Sequence, residues 1–313
     1  MNNLILGLGA AAMDVVLDCE DLPRADGFAL VHGERLVPGG SCANVLAAAV
    51  RLGARAGLVA KMGDDDYGRA FIEDLRRSGV STDQVLVQPG GVSLHTFITV
   101  ARDGAKAIFA HFGDSLLNLA ADEVQPDWLD GVGLFYTDMF PGKPALKLAR
   151  IARERRIRVM FNLQASVGFM GLCGVSQDEI EEMIGLCDLF ITFSHPLEEL
   201  TGSGDPVRAA AAIMERRRPR DGVVITMGEK GAVWGHESGT IARPSFAVPA
   251  VDSTGAGDAF AAGLIYSFYF QGLPRDRALS FAAATGAVKC TQPGPRLTAD
   301  VKDVLALMNR EAS

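Results

Sequence analysis

The chain has 313 residues, 48% of them apolar, and a formal net charge of −8. That size and composition suit a large buried core, and the acidic balance argues against a general nucleic-acid binder, which presents a basic face. The five cysteines are scattered and never spaced CxxC, and the five histidines form no HExxH pair, which argues against a disulfide framework or a zinc site and for reduced thiols in the cytoplasm.

Residues 1–16 are apolar but lack a basic start and carry Asp14, so they read as a buried first strand, Leu4–Leu8, and not as a signal peptide. Gly7-Leu8-Gly9-Ala10-Ala11-Ala12 mimics a GxGxxA dinucleotide fingerprint, yet the residues after it look extended where that fingerprint needs a helix. Asp14, read at the end of this strand, either accepts bonds from substrate hydroxyls or sits in a solvated turn. Further buried strands are expected at Ala56–Met62, Leu134–Thr137, Val159–Leu163, Leu189–Phe193 and Val223–Met227. Helical patterns fall between them at Ala43–Leu52, Gly68–Ser78, Pro144–Arg156, Gln177–Leu186 and Pro206–Arg217. Three more, Ala256–Gln271, Arg275–Lys289 and Thr298–Arg310, close the chain. Such alternation predicts a mostly parallel sheet with helices on both faces. No run reaches the roughly 18–20 apolar residues of a membrane span.

Two regions break the alternation. Val15–Asp18 with Ala29–Val37, and Ser93–Val100 with Ala105–Phe112, read as strands without intervening helices. The turn Ala101-Arg102-Asp103-Gly104 joins the second pair. These pieces, about 15–37 and 93–112, are expected to form a small β-sheet acting as a lid, a dimerisation surface, or both. Nothing else divides the chain, so residues 1–313 read as one domain. The basic clusters Arg153 to Arg158 and Arg216 to Arg220 fall at helix ends, where cations complement the dipole.

The most informative segment is Asp252-Ser253-Thr254-Gly255-Ala256-Gly257-Asp258-Ala259-Phe260. A glycine-rich turn opening a helix leaves amide groups free beside the positive end of the dipole, and so binds phosphate. Gly257 is expected to combine close approach to that phosphate with an unusual backbone angle. Asp258 follows on the first helical turn, and an anion site beside a general base suits phosphoryl transfer. Upstream, Pro38-Gly39-Gly40-Ser41-Cys42-Ala43-Asn44 leads into a helix, with glycines that let a ligand approach and an Asn44 that suits a polyol. Thr226-Met227-Gly228-Glu229-Lys230-Gly231 follows a strand; it either lays backbone against a nucleotide or forms a hairpin turn, and no Walker A loop occurs anywhere.

Taken together, GGSCAN at 39–44, GDDDYG at 63–68, TMGEKG at 226–231 and DSTGAGDAF at 252–260 resemble the PfkB or ribokinase-like family of carbohydrate and nucleoside kinases. The resemblance spans Leu4 to about Leu307. It implies a Rossmann-like three-layer α/β sandwich with a β-sheet lid, phosphorylating a substrate alcohol with ATP and Mg2+. It further implies that Asp258 is the general base, with Gly255, Ala256 and Gly257 as the anion hole. Asp14, Gly39, Gly40 and Asn44 match substrate positions, with Asp138 as an additional contact. Thr226, Gly228 and Gly231 match the ATP side. Asp252 and Thr254 match positions that hold a monovalent cation, K+, in many members.

Two departures from the family pattern stand out. Its Asn-x-x-Glu motif is replaced by Phe193-Ser194-His195-Pro196-Leu197-Glu198-Glu199, so Glu198, or failing it Glu199, is left to organise hydrated magnesium. Its Asp-x-Asn-x-Arg becomes Asn162-Leu163-Gln164-Ala165-Ser166, which argues against acidic or phosphorylated sugars that need that arginine. The sequence supports a sugar kinase first. A nucleoside kinase on the same scaffold and a kinase-like binding protein of low turnover remain the alternatives.

Overall fold

Apolar residues along each strand alternate between two cores, and this alternation produces three layers. In Leu4–Leu8, Ile5 packs on one side of the sheet while Leu6 and Leu8 pack on the other. The same division sets Leu134 and Tyr136 against Phe135, Met160 against Val159 and Phe161, and Val224 against Val223 and Ile225. Strands buried on both faces need a helical layer on each side. Helices Ser41–Arg51, Asp66–Arg77, Ala256–Leu264 and Arg275–Cys290 cover the first core; Gly142–Glu154, Gln177–Leu186 and Pro206–Arg217 cover the second.

The protein is seen in a computed structural model that describes residues 3–311. Among these, the large sheet runs Gly239–Arg243, Ala232–His236, Gly222–Thr226, Leu189–Phe193, Arg158–Asn162, Leu134–Thr137, Leu4–Leu8, Arg55–Gly63 and Val80–Ser81, with Val85–Gln88 pairing farther along Arg55–Gly63. All pairings are parallel except at the Gly222–Arg243 edge, where three strands form an antiparallel meander. The turn at 226–231 is therefore a hairpin, as one reading of its glycines anticipated. It carries a short 3-10 segment, Gly228–Lys230.

The small sheet has the order Val31–Gly39, Ala12–Cys19, His95–Ala101, Lys106–His111. Its outer pairs are antiparallel, and a parallel pairing of Ala12–Cys19 with His95–Ala101 joins them. Gly104 takes φ 87° in the expected turn. The small sheet is rooted in the main body through the GDDDYG segment. Asp65 caps helix Asp66–Arg77 at the Gly68 amide and also accepts from the Ser93 amide and hydroxyl. Tyr67 stacks on His95 with ring centroids 4.4 Å apart.

Several expectations need correction. Asp14 lies inside the small-sheet strand Ala12–Cys19, not at the end of the first core strand, because the chain crosses directly from one sheet to the other. Gly7 and Gly9 are packing glycines with no dinucleotide helix behind them: a Cβ at Gly7 would press on Leu46 and Cys42, and one at Gly9 would meet Asp138. The helix expected over Ala256–Gln271 is α-helical only to Leu264 and continues as a π-helix over Ile265–Phe270. The helix near Pro144 begins at Gly142, since proline is tolerated within a first turn. Helices Val167–Leu172 and Leu197–Thr201 gave too short an apolar pattern to be read.

Candidate active site

Two helix N-termini meet at the site. Helix Ser41–Arg51 starts after Gly40, which takes φ 88° and where a side chain would strike the Ala10 carbonyl. Helix Ala256–Leu264 starts after Gly255, at φ 78°, where a side chain would strike the Pro295 carbonyl. Both glycines are thus required by sterics. Gly257 differs from what its sequence context suggested. It has no positive φ, and a Cβ there would find only Gln164 Oε1, at 4.0 Å. It borders open space.

The backbone amides of Gly257 and Asp258 make no hydrogen bond among the described residues. Such orphan donors at a helix N-terminus form an anion site. They adjoin a cavity of about 680 Å³ lined by Ala256, Gly257 and Phe260 on one side and by Thr226, Gly228 and Gly231 on the other. The hairpin turn and the anion turn, far apart in sequence, therefore share one cavity. Its size fits a nucleotide, within the usual ~300–1,000 Å³ of ligand sites.

Asp258 lies on the same helical turn but faces helix Ser41–Arg51. Ser41 Oγ donates to its Oδ1 at 2.7 Å, and Asn44 Nδ2 donates to its Oδ2 at 2.9 Å. Asp258 as a whole is only 7% exposed. Burial lifts its pKa above the ordinary aspartate value, against the bonds from Ser41 and Asn44 and the positive fields of Arg296 and Lys289. A raised pKa improves a carboxylate as a proton acceptor near neutrality.

Asp14 stands next in this row. Thr96 Oγ1 donates to it at 2.6 Å, burial raises its pKa, and the place of a Gly39 side chain is filled by its carboxylate. Asp138 is fully buried, and its oxygens accept from the backbone amides of Ala10, Cys42 and Phe140. Burial pushes its pKa up to about 7, with the Asp258 charge adding to the rise and the amide bonds opposing it. Its carboxylate braces the start of helix Ser41–Arg51 against the first core strand.

The cation positions are arranged differently from the sequence expectation. Asp252 accepts from the amide and hydroxyl of Thr254, but its backbone carbonyl accepts from the ammonium of Lys289 at 2.9 Å. Asp252 does not fit an exchangeable K+ through this carbonyl, because a side-chain cation is already bound to it. No group of three or more His, Cys, Asp or Glu side chains among the described residues is arranged to hold a metal. Glu198 is exposed on helix Leu197–Thr201, and its side chain has no hydrogen-bond partner among the described residues. Glu199 instead accepts from the amides of Val167 and Gly168, capping the next helix.

Four further residues escaped the sequence reading. Ser41 lies in the GGSCAN segment, but nothing local shows that its hydroxyl reaches Asp258. Gln164 faces Gly257 across the open space. Lys289 signalled itself only as a charge inside a small-residue helix. Arg296 is mostly buried 3.4 Å from Asp74, with no hydrogen bond to its guanidinium nitrogens and with Asp258 in electrostatic reach.

Comparison with known proteins shows the family. The family model described as pfkB family carbohydrate kinase matches residues 2–302. An ATP-dependent ribose-1-phosphate kinase from Halopiger xanaduensis is 30% identical over 310 residues, covering 97% of this chain and 98% of that protein. Two solved structures share the fold. One is an Arabidopsis thaliana ribokinase complexed with ribose and ATP, with TM-score 0.82, 21% identity, and coverage of 98% of this chain and 99% of that one. The other is a ribokinase II candidate from E. coli in complex with ATP and Mg2+, with TM-score 0.85, 22% identity, and the same two coverages. With two of its motifs lining one cavity and residues 2–302 matched by the family model, the chain belongs to the pfkB family of carbohydrate kinases.

Proposed function

We propose that this chain transfers a phosphoryl group from ATP, with Mg2+, to a hydroxyl of a sugar or sugar-like acceptor. The observation that carries the proposal is the junction at helix Ala256–Leu264. Gly257, whose amide and that of Asp258 are free, lines a nucleotide-sized cavity, while the Asp258 side chain is turned to Ser41 and Asn44 on the expected acceptor side. ATP supplies the transferable group, and Mg2+ offsets its charge. Ser41 and Asn44 fix the Asp258 carboxylate so that it can take the acceptor's hydroxyl proton. That oxygen then bonds to phosphorus as ADP leaves, and the free amides of Gly257 and Asp258 stabilise the charge on the transferring group. Asp14, Gly39, Gly40 and Asn44 form the polar wall against which the acceptor's hydroxyls rest. Thr226, Gly228 and Gly231 hold the nucleotide side. Glu198, exposed and without a side-chain hydrogen bond among the described residues, is the carboxylate that would orient water on Mg2+. Asp138 acts by bracing this wall and not by touching the acceptor.

The whole chain forms one kinase domain, and the small sheet is its lid. Phe28, Ile108 and Phe109 on and beside that sheet are exposed, at 89%, 63% and 66%, and a second copy of the chain covering them gives a homodimer. Five free cysteines fit the reducing cytoplasm. The test is ADP release across pentoses, hexoses, ketoses, sugar phosphates and nucleosides. Turnover is expected on a sugar. Turnover on nucleosides alone would replace the acceptor class, and none on any alcohol would favour a binding protein.

A further inference from the structure

Lys289 is fully buried in the last turn of helix Arg275–Cys290. A buried ammonium is costly unless paired and hydrogen-bonded. Its Nζ donates to the backbone carbonyls of Asp252, at 2.9 Å, and Gln292, at 3.1 Å. These carbonyls belong to the two loops that shape the anion turn. Around them the network is dense. Asp252 accepts from Thr254 on one carboxylate oxygen and from the Gly294 amide, at 2.9 Å, on the other. The amides of Val251 and Asp252 both bond the Cys290 carbonyl. Pro295, three residues beyond Gln292 in the same loop, backs Gly255. Without a cation between them, the carbonyls of Asp252 and Gln292 would face each other unpaired. Burial works against the charged form of the ammonium, and the negative charge of Asp252 favours it.

We propose that Lys289 is a built-in monovalent cation. It is a positioning residue whose ammonium holds loops 252–255 and 292–295 together and so aims the free amides of Gly257 and Asp258. Its stem is anchored in a helix, so the cation is permanent. Phosphoryl transfer by this chain therefore needs no potassium, although the resemblance of Asp252 and Thr254 implied a potassium site. The catalytic part of this inference rests on the phosphotransfer reading; the structural part does not.

The test compares the parent, Lys289→Ala and Lys289→Met in KCl, NH4Cl, NaCl and choline chloride at constant ionic strength. Both kcat and KM for ATP are measured, together with the unfolding temperature. Alanine leaves room for an ion, whereas methionine fills the space without charge. We expect the parent to show equal rates and equal unfolding temperatures in all four salts. Lys289→Ala should lose about tenfold to hundredfold in kcat in choline, as misaimed groups do. It should regain most of that loss, and unfold at a higher temperature, in KCl or NH4Cl. Lys289→Met should stay slow in every salt. Potassium stimulation of the parent would overturn the proposal without any variant. So would Lys289→Ala that is as active as the parent in choline, or whose defects potassium and ammonium both leave unrelieved. If the parent turns over no acceptor, the phosphotransfer reading fails. The cation role is then decided by whether potassium or ammonium raises the unfolding temperature of Lys289→Ala and not that of the parent.

Discussion

Gly257→Ala separates the ligand's needs from the protein's. An added Cβ would lie 4.0 Å from Gln164 Oε1 and near no other protein atom, and the residue has no positive φ. The fold should accept it. Alanine in place of a helical glycine stabilises by up to about 1 kcal/mol, and less at a helix start. On the proposed reading, the methyl group would fill the space where the transferring phosphoryl group meets the amides. If that contact is displaced, the loss should match that of an oxyanion donor, about 10²–10³ in kcat, or roughly 3–4 kcal/mol. Gly255→Ala is the contrasting case. It must take φ 78° and meet the Pro295 carbonyl. The backbone angle alone costs about 1–2 kcal/mol, so stability should fall along with activity. Thermal unfolding and steady-state ADP release measure both variants. A Gly257→Ala enzyme with parental kcat would refute the anion-hole reasoning, and one that fails to fold would refute the reading of open space.

Other expectations follow from the same geometry. Activity should fall on the acid side at a pH above the ordinary aspartate pKa of about 3.9, because burial raises Asp258 and only its ionised form accepts a proton; a pH profile of kcat flat down to about pH 4 would contradict this. Asp138 holds its proton up to about pH 7 when folded, against 3.8 when unfolded, so its stabilisation is complete below about pH 4 and is lost as pH rises through 7. Urea unfolding at about pH 5 and pH 8 should therefore show a larger loss for the parent than for Asp138→Asn, and equal losses would count against the assignment. Glu198→Gln should raise the magnesium requirement at fixed ATP. Glu199→Gln should leave that requirement alone but lower stability by about 0.5–2 kcal/mol, since its carboxylate caps a helix. The reverse pattern would reassign the metal-organising carboxylate.

Much of the fold was legible because its signals are local. Strands buried on both faces read as continuous apolar runs, and Gly104 marked the small-sheet turn by the backbone angle it supplies. The anion turn was readable for the same reason, since glycines followed by a helix leave free amides whatever the tertiary setting. What could not be read depends on contacts between distant segments. Ser41 and Asp258 are 217 positions apart, so their bond has no sequence signature. Asp138 looks like a free carboxylate at a strand end until three backbone amides are seen to occupy it. Asp252 and Thr254 suggested a cation site, and only the packing of helix Arg275–Cys290 showed that Lys289 reaches it. Gly257 looked like a strained turn residue because it follows one, Gly255; the helix has already begun at Ala256.

The central claim is that Asp258 takes the proton of the acceptor hydroxyl, and the most direct test is single-turnover phosphoryl transfer by Asp258→Asn. The amide keeps the shape of the side chain. Its oxygen can accept from Asn44, and its nitrogen can donate to the Ser41 hydroxyl, so ATP and acceptor should bind as in the parent. The rate of transfer should drop about 10²–10⁴-fold. A rate within tenfold of the parent, with both ligands bound, would show that the proton goes elsewhere.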